Sequence, residues 1–192
     1  MPLNKFLGYN TSHTVINGEH FYQIKDFLDD STQLQMVADI DRFKREHQGI
    51  HPHVAGNSVT DMHTREQFQT TLWRTFYDTI VKIVSEIEGQ ELHIINAWSA
   101  TAHANNVDDS YWHQHLTAYS LVYYLRNFDP AHGTHWKPAD DEEFMIFGYE
   151  NSISFFTANW SHDGVMPRWR REQYLTEHPR HVLAAEIAWG PG

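Results

Sequence analysis

The hydrophobic pattern divides the chain into a helical first half and a second half of short β segments. Val15-Ile16 and Phe21 to Ile24 flank Asn17-Gly18, which predicts a hairpin over Thr14 to Leu28. Ser31 to His47 places Leu34, Val37, Ile40 and Phe43 at every third position and predicts a helix. Gly49 to Asp61, with His51-Pro52-His53 and Gly56-Asn57, reads as loop. In Thr64 to Glu88, Phe68, Leu72, Phe76, Ile80, Ile83 and Ile87 mark one face of a long helix. Thr64 with Gln67 has the form of a capping box, and Gly89 supplies a stop.

From Leu92 the period changes. Leu92 to Ala102, Ala118 to Leu125, Phe144 to Tyr149, Ile153 to Thr157 and Val182 to Trp189 are rich in β-branched and aromatic residues and are separated by turn chemistry. Helices followed by strands predict an α+β chain. Its strands must curl or pair face to face to hide their edges, as a sandwich or barrel backed by the long helix. No repeat or linker composition interrupts residues 1–192, so one domain is expected.

Composition narrows the function. With 14 Lys and Arg against 25 Asp and Glu, the formal charge is −11, which disfavours nucleic acid as a partner. The absence of cysteine excludes disulfides and thiolate metal sites. The N-terminus lacks signal-peptide character, and no apolar run reaches the roughly 20 residues that span a bilayer. A soluble, cytoplasmic protein with no membrane partner is the expectation. The 15 histidines suit borderline metals, but only their placement can identify a site.

Three segments carry candidate chemistry. In Tyr111-Trp112-His113-Gln114-His115, two histidines at i and i+2 of an extended segment point the same way, within reach of one cation. After the strand Ile153 to Thr157, His162 enters a turn marked by Gly164 and Pro167. Arg180 opens the apolar run Val182 to Trp189, where a permanent cation calls for an anion.

Over Leu92 to Trp189, about half the chain, this order resembles the iron(II)- and 2-oxoglutarate-dependent oxygenases, particularly the small prokaryotic and phage-type members. The resemblance rests on the strand near Trp98, the His-x-His pair, the Tyr123-Tyr124-Leu125 strand, the distal histidine and the closing arginine strand. It implies a double-stranded β-helix (jelly-roll) fold and Fe(II) and 2-oxoglutarate as cofactors. It also implies hydroxylation of a small-molecule or peptidyl substrate. By the same resemblance, His113 and His162 are iron ligands, while Tyr124 and Arg180 hold the far carboxylate of 2-oxoglutarate. Arg180 stands farther from His162 than is usual in the family; Arg171 is nearer, but no apolar strand follows it.

The departure is His115, where most of the family has Asp or Glu. His115 as the third ligand, giving three-histidine iron, is the expectation; two-histidine iron with water and a carboxylate from Asp108 or Asp109 are the alternatives. Tyr124 can face the metal only if the strand breaks between Leu116 and Tyr119, since alternation would otherwise turn it away. Trp98, Tyr111 and Trp112 are candidate pocket walls. Arg168, Arg170 and Arg171 could meet an acidic substrate or form a solvated loop. Two further readings stand beside the oxygenase. One is a cupin-type three-histidine dioxygenase or isomerase, against which the missing Glu after His-x-His counts. The other is a non-catalytic β-barrel binding module.

Overall fold

Asn17 and Gly18 take φ of 49° and 83°, the left-handed pair that a two-residue hairpin requires. They join β2 (Tyr9–Ile16) to β3 (Glu19–Ile24), and β1 (Leu3–Phe6), not foreseen from the pattern, pairs with β2. The structure is a computed structural model that describes residues 3–6, 8–47, 58–102, 112–138, 143–157, 160–164 and 180–190.

The helix α1 (Asp30–Glu46) starts at Asp29, whose carboxylate accepts from the Thr32 amide at 3.0 Å. It buries Gln33, Met36, Asp39, Ile40 and Phe43, whereas Leu34 is exposed. A strict three-residue spacing lags an α-helical turn by about 60° per step and so drifts around the helix, which leaves Leu34 outside while Ile40 and Phe43 face the core. The next segment also differs from expectation. Glu66–Phe68 is a separate 3₁₀ turn, and α2 (Thr71–Glu88) begins only after Thr70. The Thr64 hydroxyl is committed instead to the Asp61 carbonyl at 3.0 Å, so Thr64 and Gln67 cap no α-helix. Gly89, with φ of 69°, ends α2 as expected.

The remaining strands are β4 (Ser58–Val59), β5 (Leu92–Ala102), β6 (Tyr119–Arg126), β7 (Thr134–Lys137), β8 (Phe144–Ile146), β9 (Ser152–Phe156), β10 (Ser161–Asp163) and β11 (Arg180–Trp189). One eight-stranded antiparallel sheet has the order β1-β2-β3-β9-β6-β11-β5-β4; a second, of three strands, has the order β10-β7-β8. From β5 onward the chain crosses repeatedly between the two. β5, β6, β9 and β11 lie in the large sheet, while β7, β8 and β10 form the small one, to which His113 is bridged. Part of the expected loop at 49–61 is therefore strand β4; residues 48–57 lie outside the described residues.

Alternation along the strands sorts side chains between two cores. Tyr119, Leu121, Tyr123 and Leu125 of β6, Ile153 and Phe155 of β9, and Leu183, Ala185 and Ile187 of β11 pack with the helices. The opposite face turns toward the small sheet, where Trp136 of β7 meets the rings of Phe21 and Phe156 at 5.3 and 4.5 Å. Each large apolar side chain buried this way contributes roughly 1.5–3 kcal/mol. On the helix side, Trp73 is fully buried and donates its indole N–H to Asp39 at 3.0 Å. No described helix is long and apolar enough to cross a membrane.

Candidate metal centre

The three histidines singled out from the sequence come together. His113 and His162 form an isolated antiparallel bridge in which each amide donates to the other's carbonyl, at 3.2 and 2.9 Å. Such a pair holds its two side chains on the same side. His115, two residues along the same segment, adds the third ring. Ring centroids lie 4.4 Å apart for His113 and His162, 4.9 Å for His113 and His115, and 5.0 Å for His115 and His162. One nitrogen from each lies within 4.8 Å of the others, close enough for the three to converge on one cation. His162 stands on β10 and not in the turn the sequence suggested; the ring of Trp136, its cross-strand partner, lies tilted against it at 4.7 Å.

Two hydrogen bonds settle which nitrogens are available. His162 Nδ1 lies 3.2 Å from the Trp160 carbonyl, and His115 Nδ1 lies 2.6 Å from Glu186 Oε1. Both partners accept only, so each Nδ1 carries the proton and each Nε2 keeps a free lone pair. Burial, reinforced by the neighbouring imidazole of His113, lowers the His162 pKa to about 3; the Trp160 carbonyl opposes this only partly. Burial also lowers that of His115, against the pull of Glu186. Neutral imidazoles are the form a metal takes. The donor set therefore fits a divalent ion such as iron.

Aromatic walls surround the cluster. Trp98 lies 5.5 Å from the His115 ring, and Phe156 5.7 Å from His162. Trp112 is half-buried, with the Lys137 ammonium 5.7 Å from its ring centre. Trp136 and Phe156 also line a cavity of about 390 Å³ between the sheets, together with Tyr124, Thr134 and Ser154.

Arg180 and Tyr124 meet on the interior face of the large sheet. The stretch between His115 and Tyr119 is not strand, so the break that Tyr124 requires is present. The Tyr124 hydroxyl lies 2.6 Å from Thr134 Oγ1, and the Arg180 guanidinium carbon lies 5.6 Å from the Tyr124 ring centre. Arg180 is buried, not the solvated edge residue that a strand start allows; its Nε donates to the His132 carbonyl at 3.1 Å and Nη2 to the Gly133 carbonyl at 3.4 Å. Burial lowers its pKa, and the nearby Tyr124 and Asp163 oppose that. Glycines make room for both groups. A Cβ at Gly148 would fall 2.4 Å from Tyr124 Cε1, and one at Gly164 would fall 3.2 Å from Arg180 Nη1.

Asp108, Asp109, Tyr111, Arg168, Arg170 and Arg171 lie outside the described residues. Sequence reasoning missed Glu186, Thr134 and Trp136. For Glu186 a signal existed: it is the one acid in β11 and lies an even number of positions from Arg180, hence on the same face.

No family model matches the sequence, and no curated protein does either. Solved structures share the fold. The non-heme α-ketoglutarate-dependent epimerase SnoN from nogalamycin biosynthesis aligns with a TM-score of 0.66 at 13% identity, over 88% of this chain and 77% of that one. HygX from Streptomyces hygroscopicus, solved with nickel and 2-oxoglutarate bound, aligns with a TM-score of 0.63 at 10% identity, over 88% and 82%. A prolyl-4-hydroxylase from Pseudomonas putida aligns with a TM-score of 0.57 at 14% identity, over 89% and 88%.

Proposed function

We propose that this chain is an iron(II)- and 2-oxoglutarate-dependent oxygenase, a single domain over 1–192 whose two sheets form a double-stranded β-helix. The observation that carries the reading is the convergence of His113, His115 and His162, with their donor atoms within 4.8 Å, inside a fold shared with 2-oxoglutarate-dependent enzymes. His113, His115 and His162 hold the iron, and Arg180 and Tyr124 hold the far carboxylate of 2-oxoglutarate. Bound there, iron(II) with 2-oxoglutarate and oxygen would supply the oxidation of a substrate C–H bond, coupled to conversion of 2-oxoglutarate to succinate and carbon dioxide.

The chain's own residues do the rest. The planar guanidinium of Arg180 suits bidentate pairing with a carboxylate, and burial strengthens that attraction while keeping Arg180 costly without an anion. The Tyr124 hydroxyl, held by Thr134 and kept neutral by burial, offers a donor on the same side. Trp98 packs against His115, and Trp136 and Phe156 pack against His162, giving the imidazole cluster an apolar flank. The substrate is a small molecule or a peptide side chain, and hydroxylation is the outcome we assign.

The test is succinate release by the iron(II)-loaded protein given 2-oxoglutarate and oxygen, with Arg180→Ala as the control. Substrate-independent succinate that disappears in the variant is the expected result. Succinate unaffected by the substitution would remove Arg180 from its role. Stoichiometric metal without any succinate would point to a cupin-like activity, and a protein that takes up no metal would be a binding module.

A further inference from the structure

We infer that Glu186 is a positioning residue of the metal centre, supplying through His115 the negative charge that a ligating carboxylate would bring. This rests on the assignment of His115 as a ligand. Glu186 is the single acid of β11, on the same face as Arg180, and its side chain is only 19% exposed. Burying a carboxylate there is costly unless it is paired. Its carboxylate meets His115 Nδ1 at 2.6 Å, the length of a strong charge-assisted bond. The β11–β5 register breaks between Glu186 and Ile187, a device that re-aims a side chain beside a site.

The charge balance gives the arrangement its meaning. A divalent ion with three neutral imidazoles has a net charge of two plus. With two imidazoles and a carboxylate it has one plus. A carboxylate bonded to the remote nitrogen of one imidazole restores that lower charge without occupying a coordination position. The same bond keeps the proton on Nδ1, so His115 presents Nε2 to the other two rings. Because a ring's Nδ1 edge faces away from its Nε2, Glu186 acts through the histidine. Trp98, across from β11 on β5, closes in on the His115 ring.

The experiment is cobalt(II) titration of the metal-free full-length chain, followed by its visible d–d bands, with wild type, Glu186→Gln and Glu186→Ala compared after thermal melts confirm folding. Glutamine keeps an acceptor but loses the charge; alanine loses both. The expected result is a tenfold to hundredfold weaker affinity and shifted bands for Glu186→Gln, with a larger loss for Glu186→Ala. Affinity within twofold of wild type and unchanged bands for Glu186→Gln would overturn the role. Should neither variant fold, imidazole nitrogen NMR of the zinc-loaded wild type decides: a protonated Nδ1 on His115 supports the role, and a metallated Nδ1 overturns it. Cobalt binding needs no cosubstrate. An intact Glu186 effect without succinate would therefore sink only the oxygenase reading, and succinate with no Glu186 effect would sink only this one.

Discussion

His113 and His162 are joined through their main chains as well as facing each other through their rings, with both amide–carbonyl bonds of the bridge formed. The candidate site is thus anchored by backbone geometry that survives loss of either imidazole. His162→Ala should therefore leave the fold intact yet weaken iron(II) or cobalt(II) binding by at least about a hundredfold. Calorimetric titration alongside far-ultraviolet circular dichroism checks both halves; tight binding by the variant would exclude His162 as a ligand.

Acid should destabilise the metal-free protein. His162 titrates near 3 when folded against an ordinary 6.5, so between these values the unfolded chain binds more protons. Stability is complete above about pH 6.5 and falls as pH drops toward 3, by on the order of 4 kcal/mol in all. The lowered pKa of His115 acts in the same direction. Urea unfolding from pH 7.5 to 4 should show this slope, and His162→Phe should make it shallower. An unchanged slope in the variant would assign the effect elsewhere.

Gly148 tests Tyr124 without touching it. A methyl there meets the rigid Tyr124 ring at 2.4 Å and the Asn127 amide at 2.9 Å, so Gly148→Ala must displace one or both. The expected cost is about 1–3 kcal/mol of stability, with a several-fold rise in the KM for 2-oxoglutarate in the succinate assay. A destabilised variant with an unchanged KM would remove Tyr124 from cosubstrate binding.

Asp39 ties α1 to α2. It is buried and accepts from Trp73 Nε1 at 3.0 Å and from Gln35 and Arg42 at 2.9 Å each. Asp39→Ala strands the indole N–H and should cost about 1–3 kcal/mol in chemical denaturation. In Trp73→Phe the same change should cost less, because the stranded donor is gone. Equal costs in both backgrounds would show that the hydrogen bond is not what Asp39 contributes.

Local chemistry made much of this legible in advance. The Asn17-Gly18 turn, the stop at Gly89 and the run Leu92–Ala102 are each specified by residues adjacent in sequence, so the structure follows the expectation closely. The three histidines and Arg180 were also visible, because a His-x-His pair in an extended segment, a histidine after an apolar strand and a cation opening an apolar run are local patterns. The helix α1 was legible from its apolar repeat, but that Leu34 would lie outside was not, since a repeat does not say which side the sheet will cover. β7 and β10, at four and three residues, are too short to carry a period and exist because each finds a partner.

What the sequence by itself determined is the set of groups able to do chemistry and the longer strands β5, β6, β9 and β11; side-chain type and alternation are local properties. Only the tertiary structure decided that His162 would lie beside His113, that Glu186 would reach His115, and that Arg180 would be buried against the His132 and Gly133 carbonyls. Those are facts of cross-strand register between segments distant in the chain. Register is set by the simultaneous packing of two sheets and two helices, which no single stretch of residues encodes.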